Sequence, residues 1–218
     1  MVHTPSDHNT TDDWGAAILA GGRSRRLGGC DKARLLVGGT RVIDRLVAAV
    51  DPLARHLVIV TNLPDAYPEL ALPTIADRLP GRGVLAGIEA ALGATDASQV
   101  LVMACDMPFL HRAFLADLMR AGRDAPIAVA RSRDGRYPVC ASVARSCYDT
   151  VRELLEAGRL SFRELLGSLQ VRELEPALLR KHDPDGVLLL NINTPLDYAR
   201  ALAASGPDWR ASYPHGAT

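Results

Sequence analysis

The order of apolar and polar positions predicts that short strands and helices alternate along the chain. Apolar runs typical of buried strands occur at AAILA (16–20), LVIV (57–60) and VLVMAC (100–105). Between these runs, apolar residues recur at helical spacing over 42–53 and 84–92. Because strands buried on both faces are continuously apolar, the pattern predicts an α/β fold with a mostly parallel sheet flanked by helices.

The second half of the chain is less regular, but it continues the alternation. PIAVA (126–130) and PVCASV (138–143) flank the polar stretch RSRDGRY, a pattern typical of a hairpin or of an extended active-site loop. The final helix is predicted to begin at Pro195, with Thr194 as its cap. The other predicted elements are helices near 114–119, 146–157 and 161–166, and strands near Val171 and at VLLLNI (187–192).

One domain is predicted over residues 14–204, with loose tails at 1–13 and 205–218 that are rich in Thr, Ser, Pro, Gly and Asp. The 25 Lys and Arg residues balance the 25 Asp and Glu residues, which favours neither nucleic acid nor a membrane as a partner. No stretch reaches membrane-spanning length, and the first residues lack the apolar core of a secretory signal. We therefore expect a soluble, cytoplasmic protein with reduced cysteines.

The segment LAGGRSRRLGGCDK (19–32), directly after the first predicted strand, has the composition of a phosphate-binding loop. Gly21 and Gly22 allow backbone N–H groups to approach phosphate oxygens closely. Arg26 and Lys32 would balance the charge of a triphosphate and of the pyrophosphate that leaves it. The segment matches neither GxxxxGK[ST] nor GxGxxG, and a solvated basic loop is the alternative interpretation.

Asp106 directly follows the apolar run VLVMAC, so its carboxylate is predicted to lie at the end of a central strand. The glycine-rich loop is expected at the same edge of the sheet, where open α/β sheets bind ligands. One carboxylate can hold Mg²⁺, because this ion completes its shell with phosphate oxygens and water. The alternative is that Asp106 caps the next helix, near Pro108.

Five segments together resemble a known family, the molybdenum cofactor guanylyltransferases of the MobA-like nucleotidyltransferase group. They occur in the family's order and cover about residues 15–204 of the chain. The segments are LAGGRSRRLGGCDK (19–32), DRLPGRGVLAGI (77–88), ACDMPFL (104–110), DGRYPV (134–139) and NINTPLDY (191–198).

The resemblance implies a Rossmann-like fold of the nucleotide-diphospho-sugar transferase type. It implies an enzyme that transfers GMP from GTP to the phosphate of molybdenum-bearing molybdopterin, releases pyrophosphate and forms the guanine dinucleotide cofactor. Mg²⁺ is the implied cofactor, GTP and Mo-molybdopterin are the implied partners, and molybdoenzyme apoproteins or their chaperones are further candidate partners.

Residue by residue, the resemblance assigns Asp106 to Mg²⁺ and Asn191 and Asn193 to the pterin side of the cleft. In the implied mechanism, Lys32 and Arg26 stabilise the departing pyrophosphate while Mg²⁺ on Asp106 polarises the α-phosphate. The expected nucleotide-binding residues are Leu19, Ala20, Gly21, Gly22, Lys32, Asn62, Asp77 and Asp106. The chain departs from the family at Leu27, where Met is common, at Val84, where Pro is common, and at Leu196, where an acid is common.

Several of these residues also have a purely structural interpretation. The alternative for Asp77 is a turn former before Pro80, and the alternative for Asn191 and Asn193 is that they are loop side chains that bond backbone groups. The sequence leaves open whether the loop of Arg133, Arg136 and Tyr137 binds the pterin or is simply solvated. The function also stays open, with a cytidylyltransferase of the same group, a sugar-phosphate nucleotidyltransferase and a non-catalytic nucleotide-binding partner as alternatives.

Overall fold

The structure is a computed structural model that describes residues 14–21, 28–63 and 65–206. Its strands are β1 (Trp14–Leu19), β2 (Leu36–Val37), β3 (Thr40–Arg41), β4 (His56–Val60), β5 (Thr74–Ile75), β6 (Gln99–Ala104), β7 (Ile127–Val129), β8 (Cys140–Ala144) and β9 (Val171–Glu173). Its α-helices are α1 (Val42–Val50), α2 (Gly83–Gly93), α3 (Arg112–Gly122), α4 (Tyr148–Glu156), α5 (Phe162–Ser168), α6 (Pro176–His182) and α7 (Pro195–Ala204). In this part of the chain no helix is long and apolar enough to cross a membrane.

The central sheet has seven strands in the order β5-β4-β1-β6-β8-β7-β9, and β2 and β3 form a separate two-stranded ribbon. Strands β5, β4, β1 and β6 are parallel to one another, as are β7 and β9. Within the described residues, β8 is the one strand of this sheet that runs antiparallel to its neighbours. The prediction of a mostly parallel sheet flanked by helices is therefore confirmed.

Successive side chains of β1 point to opposite faces of the sheet, and both faces are buried, which explains why this central strand is continuously apolar. Ala16 and Ile18 pack into the hydrophobic cluster that contains residues of α1 and α3. Ala17 and Leu19 point to the opposite face, into the cluster that contains residues of α2, α4 and α5. Because helices cover both faces, every position of β1 is buried and polar residues have no exposed side to occupy.

The segment 187–192 is not a strand, and the prediction of one at VLLLNI is wrong. Leu188 and Ile192 are fully buried, but the backbone N–H groups of this segment do not pair with a neighbouring strand. Leu188 N donates to Asp183 Oδ1 at 2.9 Å, Leu190 N to Val187 O at 3.0 Å, and Ile192 N to Asp106 O at 2.8 Å. The apolar run indicated burial correctly, but burial alone does not select an extended backbone.

The remaining predicted elements are present with shifted ends, and β7 and β8 pair as a hairpin, with Ile127 opposite Val143. The sequence analysis did not predict β2, β3, β5 or α6. Three of these are two-residue strands, too short for a periodic signal.

Helix α7 begins at Pro195 as predicted, with Thr194 as its N-cap in a capping box. The side chain of Thr194 accepts from Asp197 N, and the Asp197 carboxylate accepts from Thr194 N at 2.8 Å. The chain lacks an acid at Leu196, but Asp197 supplies a carboxylate to the same helical turn.

Candidate active site

The carboxyl ends of four parallel strands, β1, β4, β5 and β6, place several of the predicted site residues at one edge of the sheet. Leu19 of β1 is in register with Ala104 of β6 on one side and with Val60 of β4 on the other. The bonding continues one residue further, because Cys105 N donates to Leu19 O at 3.1 Å and Ala20 N donates to Val60 O at 2.8 Å. Ala20 and Cys105 therefore lie side by side at this edge of the sheet.

Lys32 is the first residue of a single 3₁₀ turn, Lys32–Arg34, whose N-cap is Asp31. Asp31 Oδ1 accepts from Ala33 N at 3.0 Å, and Asp31 Oδ2 accepts the hydroxyl of Tyr67 at 2.9 Å. Because Ala33 and Tyr67 are buried, they hold the turn that carries Lys32 in a fixed position. Burial, followed by the neighbouring Asp31 carboxylate, raises the pKa of Tyr67, which keeps its hydroxyl protonated as the donor.

The ammonium group of Lys32 joins two segments that are distant in the sequence. It donates to Asp106 Oδ2 at 3.1 Å and to Asn193 Oδ1 at 2.6 Å. The side chains of Lys32 and Asp106 are only 16% and 14% exposed. Because Ile192 N also donates to Asp106 O, the segment that carries Asn193 is fixed to the residue that carries the carboxylate.

Within the described residues, the two oxygens of the Asp106 carboxylate differ in their bonding. Burial raises its pKa above the usual 3.8, although the charge and hydrogen bond of Lys32 act in the opposite direction. Its Oδ1 is buried and has no hydrogen-bond partner in the described residues. A buried carboxylate oxygen without a partner is the donor that a hard divalent cation such as Mg²⁺ binds, so this residue fits the predicted metal.

The alternative interpretation of Asp106 as a helix cap is wrong. Helix α3 begins only at Arg112, and its N-cap is His111, whose ring accepts from Phe114 N at 3.4 Å. Asp106 lies six residues before the helix starts, and its side chain bonds Lys32 instead.

Asn62 and Asp77 form a second pair, at the ends of β4 and β5. The Asn62 side-chain nitrogen donates to Asp77 Oδ2 at 2.7 Å, and Asp77 N donates to Asn62 Oδ1 at 3.0 Å. Asp77 Oδ1 is buried without a partner in the described residues. The side chain of Asp77 therefore joins two strand ends and leaves one acceptor unused, which a turn former alone would not require.

Leu19, Ala20 and Gly21 lie at the end of β1, the strand between β4 and β6. A Cβ built on Gly21 would meet no atom of the described residues within 4 Å. Packing within the described residues therefore does not require a glycine here. The predicted residues Gly22 and Arg26, like Leu27, lie outside the described residues, as do most of the two predicted tails.

A cleft of about 660 Å³ opens beside Asn191 and Asn193, between the β7–β8 loop and the start of α7. Arg133 of this loop donates to Asp183 O at 2.8 Å and to Pro184 O at 3.2 Å, so it fastens the loop to the segment after α6. Arg136 is 84% exposed and pairs with Asp134. The loop is therefore structured by Arg133, and it presents Arg136 to the cleft.

Asn191 and Asn193 both line this cleft, but they differ in their bonding. The Asn193 side chain bonds Lys32 and not backbone groups, and the buried Asn191 Oδ1 has no partner in the part of the chain that the structure describes. The interpretation of both as residues that bond the local backbone receives no support from these contacts.

Three residues of the site were missed by the sequence analysis: Asp31, Tyr67 and Asp197. Asp31 had a detectable signal, since an acid directly before Lys32 and Ala33 is typical of an N-cap. Asp197, three residues after Thr194, also fits the capping-box pattern. Tyr67 had no signal, because its contact with Asp31 spans 36 positions.

The fold and this edge of the sheet define an α/β nucleotide-binding protein with a lysine and a carboxylate at its centre. Comparison with known proteins agrees, because the family described as the MobA-like NTP transferase domain matches residues 16–174. The chain belongs to this family.

Individual relatives match almost the whole chain. A protein of Desulfosudis oleivorans named molybdenum cofactor guanylyltransferase is 35% identical over 188 residues, which cover 86% of this chain and 93% of that protein. A protein of the same name from Mesorhizobium japonicum is 36% identical, over 87% of this chain and 94% of its own length. The structure of molybdopterin-guanine dinucleotide biosynthesis protein A from Archaeoglobus fulgidus is 28% identical with a TM-score of 0.74, covering 87% of this chain and 97% of that one.

Proposed function

We propose that this protein transfers GMP from GTP to Mo-molybdopterin, which releases pyrophosphate and yields the molybdopterin guanine dinucleotide cofactor. The observation that carries the proposal is the contact of Lys32 with Asp106, 74 positions apart, at the strand ends, where Asp106 Oδ1 has no partner among the described residues. The names of the two relatives described above support guanine as the base and molybdopterin as the acceptor.

The reaction requires no nucleophile from the protein. A phosphate oxygen of the acceptor forms a bond to the α-phosphorus of GTP, and the bond between the α-phosphorus and the bridging oxygen of pyrophosphate breaks. We assign Asp106 to Mg²⁺, which when bound supplies positive charge to the α-phosphate and the leaving group. Lys32 binds the leaving pyrophosphate through its ammonium group, and Arg26 of the same loop is proposed to assist it.

The nucleotide is proposed to lie along the ends of β1, β4 and β5. The glycines at 21 and 22 are proposed to let backbone N–H groups approach the phosphates, next to Leu19 and Ala20. Asp77 is proposed to accept a hydrogen bond from the ribose or the base through its unused Oδ1, while Asn62 holds the other oxygen.

The acceptor is proposed to enter the cleft beside Asn191 and Asn193. The exposed Arg136 of this cleft suits an anionic pterin phosphate, because a guanidinium binds phosphate oxygens through paired N–H groups. In this proposal the finished dinucleotide passes to molybdoenzyme apoproteins or to their chaperones.

The deciding experiment offers the protein Mo-molybdopterin with each of GTP, CTP, ATP and UTP in the presence of Mg²⁺, followed by mass analysis of the products. We expect a GMP adduct and one pyrophosphate released per adduct. A CMP adduct would assign the chain to the cytidylyltransferases instead, and nucleotide binding without any product would identify a non-catalytic partner.

A further inference from the structure

Among the described residues that line the cleft, Asn193 is the one whose side chain bonds Lys32. It lines the cleft of about 660 Å³ in which we place the acceptor, and it also holds the lysine that we place on the leaving group. Its bond to Lys32 crosses 161 positions of the sequence. Asn191, two residues earlier, lines the same cleft without such a bond in the described residues.

The backbone around Asn193 is held at both ends. Asn193 N donates to Asp197 Oδ2 at 3.1 Å, inside the capping box of α7. Ile192 N donates to the carbonyl oxygen of Asp106. With its backbone fixed between these two carboxylate-bearing residues, the amide of Asn193 is presented to Lys32 at a defined distance.

The two partners of Lys32 respond differently to a bound cation. A divalent ion on Asp106 would draw the carboxylate to itself and repel the ammonium group. Asn193 Oδ1 is neutral, so it still accepts a hydrogen bond from Lys32 without cancelling its charge. The full charge of the ammonium then stays available to phosphate oxygens.

We propose that Asn193 is a positioning residue that keeps Lys32 in place for the nucleotide phosphates when a metal ion occupies Asp106. The residue thereby links the acceptor cleft to the leaving-group lysine. This proposal rests on the proposed function for the positions of the nucleotide and of the acceptor.

The test measures by calorimetry the Kd of the protein for GTP, in the presence of Mg²⁺ and without acceptor. We expect Asn193→Ala to weaken binding about fivefold, which corresponds to about 1 kcal/mol, the net value of one typical hydrogen bond. Asn191→Ala is the matched control, since it removes an amide from the same cleft, and it should leave this Kd unchanged. Asn193→Asp keeps an oxygen acceptor but adds a negative charge, so we expect it to fold normally and still weaken GTP binding.

A double-mutant cycle separates positioning from any independent effect. In a Lys32→Met background, Asn193→Ala should cause no further loss of GTP affinity, because the bond that it removes is already absent. An equal loss in both backgrounds would overturn the proposal. So would an Asn193→Ala protein that keeps its GTP affinity and shows only a raised KM for the acceptor.

A failure of the proposed function can be distinguished from a failure of the proposal for Asn193 by the behaviour of the wild-type protein. If the wild-type protein binds another triphosphate in place of GTP, the guanine assignment is wrong, and the same variants are compared with the nucleotide that does bind. If Asn193→Ala does not fold, Asn193→Ser and Asn193→Asp supply the comparison, with thermal unfolding as the measure of folding.

Discussion

The two side-chain clusters at the edge of the sheet use similar groups in different surroundings. Lys32, Asp106 and Asn193 come from three distant segments, and the lysine and the carboxylate are largely buried. Asn62 and Asp77 come from neighbouring strand ends and form a reciprocal pair near the surface. The first cluster contains two opposite charges, whereas the second contains one carboxylate and one neutral amide.

This difference in burial and charge determines how much a substitution in each cluster is expected to cost in binding and stability. Removing one charge from a partly buried ion pair leaves the other without compensation, which is costly for both binding and stability. At an exposed pair, water replaces the lost partner, so the effect is near that of a single hydrogen bond. We therefore expect large losses at the first cluster and graded, smaller losses at the second.

The largest effect is expected for Asp106→Ala. This substitution removes the proposed metal ligand and leaves Lys32 with Asn193 alone, so the rate of pyrophosphate release should fall at least about 10²-fold. The measurement is kcat with GTP, Mg²⁺ and acceptor.

Asp106→Asn is the control for the shape of the side chain. It keeps the volume and one oxygen but removes the charge, and it should lose nearly as much activity as Asp106→Ala. Turnover near the wild-type rate in either variant would disprove the assignment of the metal.

At the second cluster, Asp77→Ala should weaken GTP binding about tenfold, because it removes a charged acceptor from the ribose or base. The Kd for GTP with Mg²⁺ checks the prediction, and kcat at saturating GTP should change much less than it does in Asp106→Ala. If Asp77→Ala reduced kcat as strongly as Asp106→Ala, the contrast between the clusters would not hold.

Asn62→Ala should have a smaller effect, about threefold in the same Kd, since Asp77 keeps its charge and loses one neutral partner. Asn62→Asp provides the sharper comparison, because two adjacent carboxylates repel each other and should weaken GTP binding more than Asn62→Ala does. Equal affinities of the two variants would show that Asn62 does not act through Asp77.

At Asp197, outside both clusters, the expected effect is on stability and not on GTP binding. Asp197→Ala removes the capping box of α7 and should lower the free energy of unfolding by about 1 kcal/mol. Burial acts to raise the pKa of Asp197, but the hydrogen bonds from Thr194 and from the backbone of Asn193 outweigh it and hold the pKa below 3.8.

The sign of the pH dependence follows from that lowered pKa. The stabilising contribution is fully present above pH 3.8, the pKa of an unperturbed Asp, and is lost as the pH falls through the lower folded-state pKa. Chemical denaturation from pH 7 to pH 3 should therefore show the gap between wild type and Asp197→Asn closing below about pH 4. A constant gap over this range would contradict the capping role of the carboxylate.

The long elements in the first half of the chain could be predicted because their information is local. Continuous apolar runs identified β1, β4 and β6, and parallel pairing then required the segments after β1 and β6 to emerge at one edge. The second half was harder, since the segment 187–192 is buried as a loop that bonds Asp183 and Asp106. A hydrophobic pattern records burial, and it does not distinguish a buried strand from a buried loop.

The sequence alone determined which residues are candidates for the chemistry: the glycines after β1, the basic Lys32 and the carboxylate of Asp106 after β6. Only the tertiary structure decided that Asn193 bonds Lys32 and that Asp31 and Tyr67 fix the turn beneath that lysine. The physical reason is that residue type and spacing report local conformation and burial. A hydrogen bond across 161 positions depends on how the whole sheet and its helices pack.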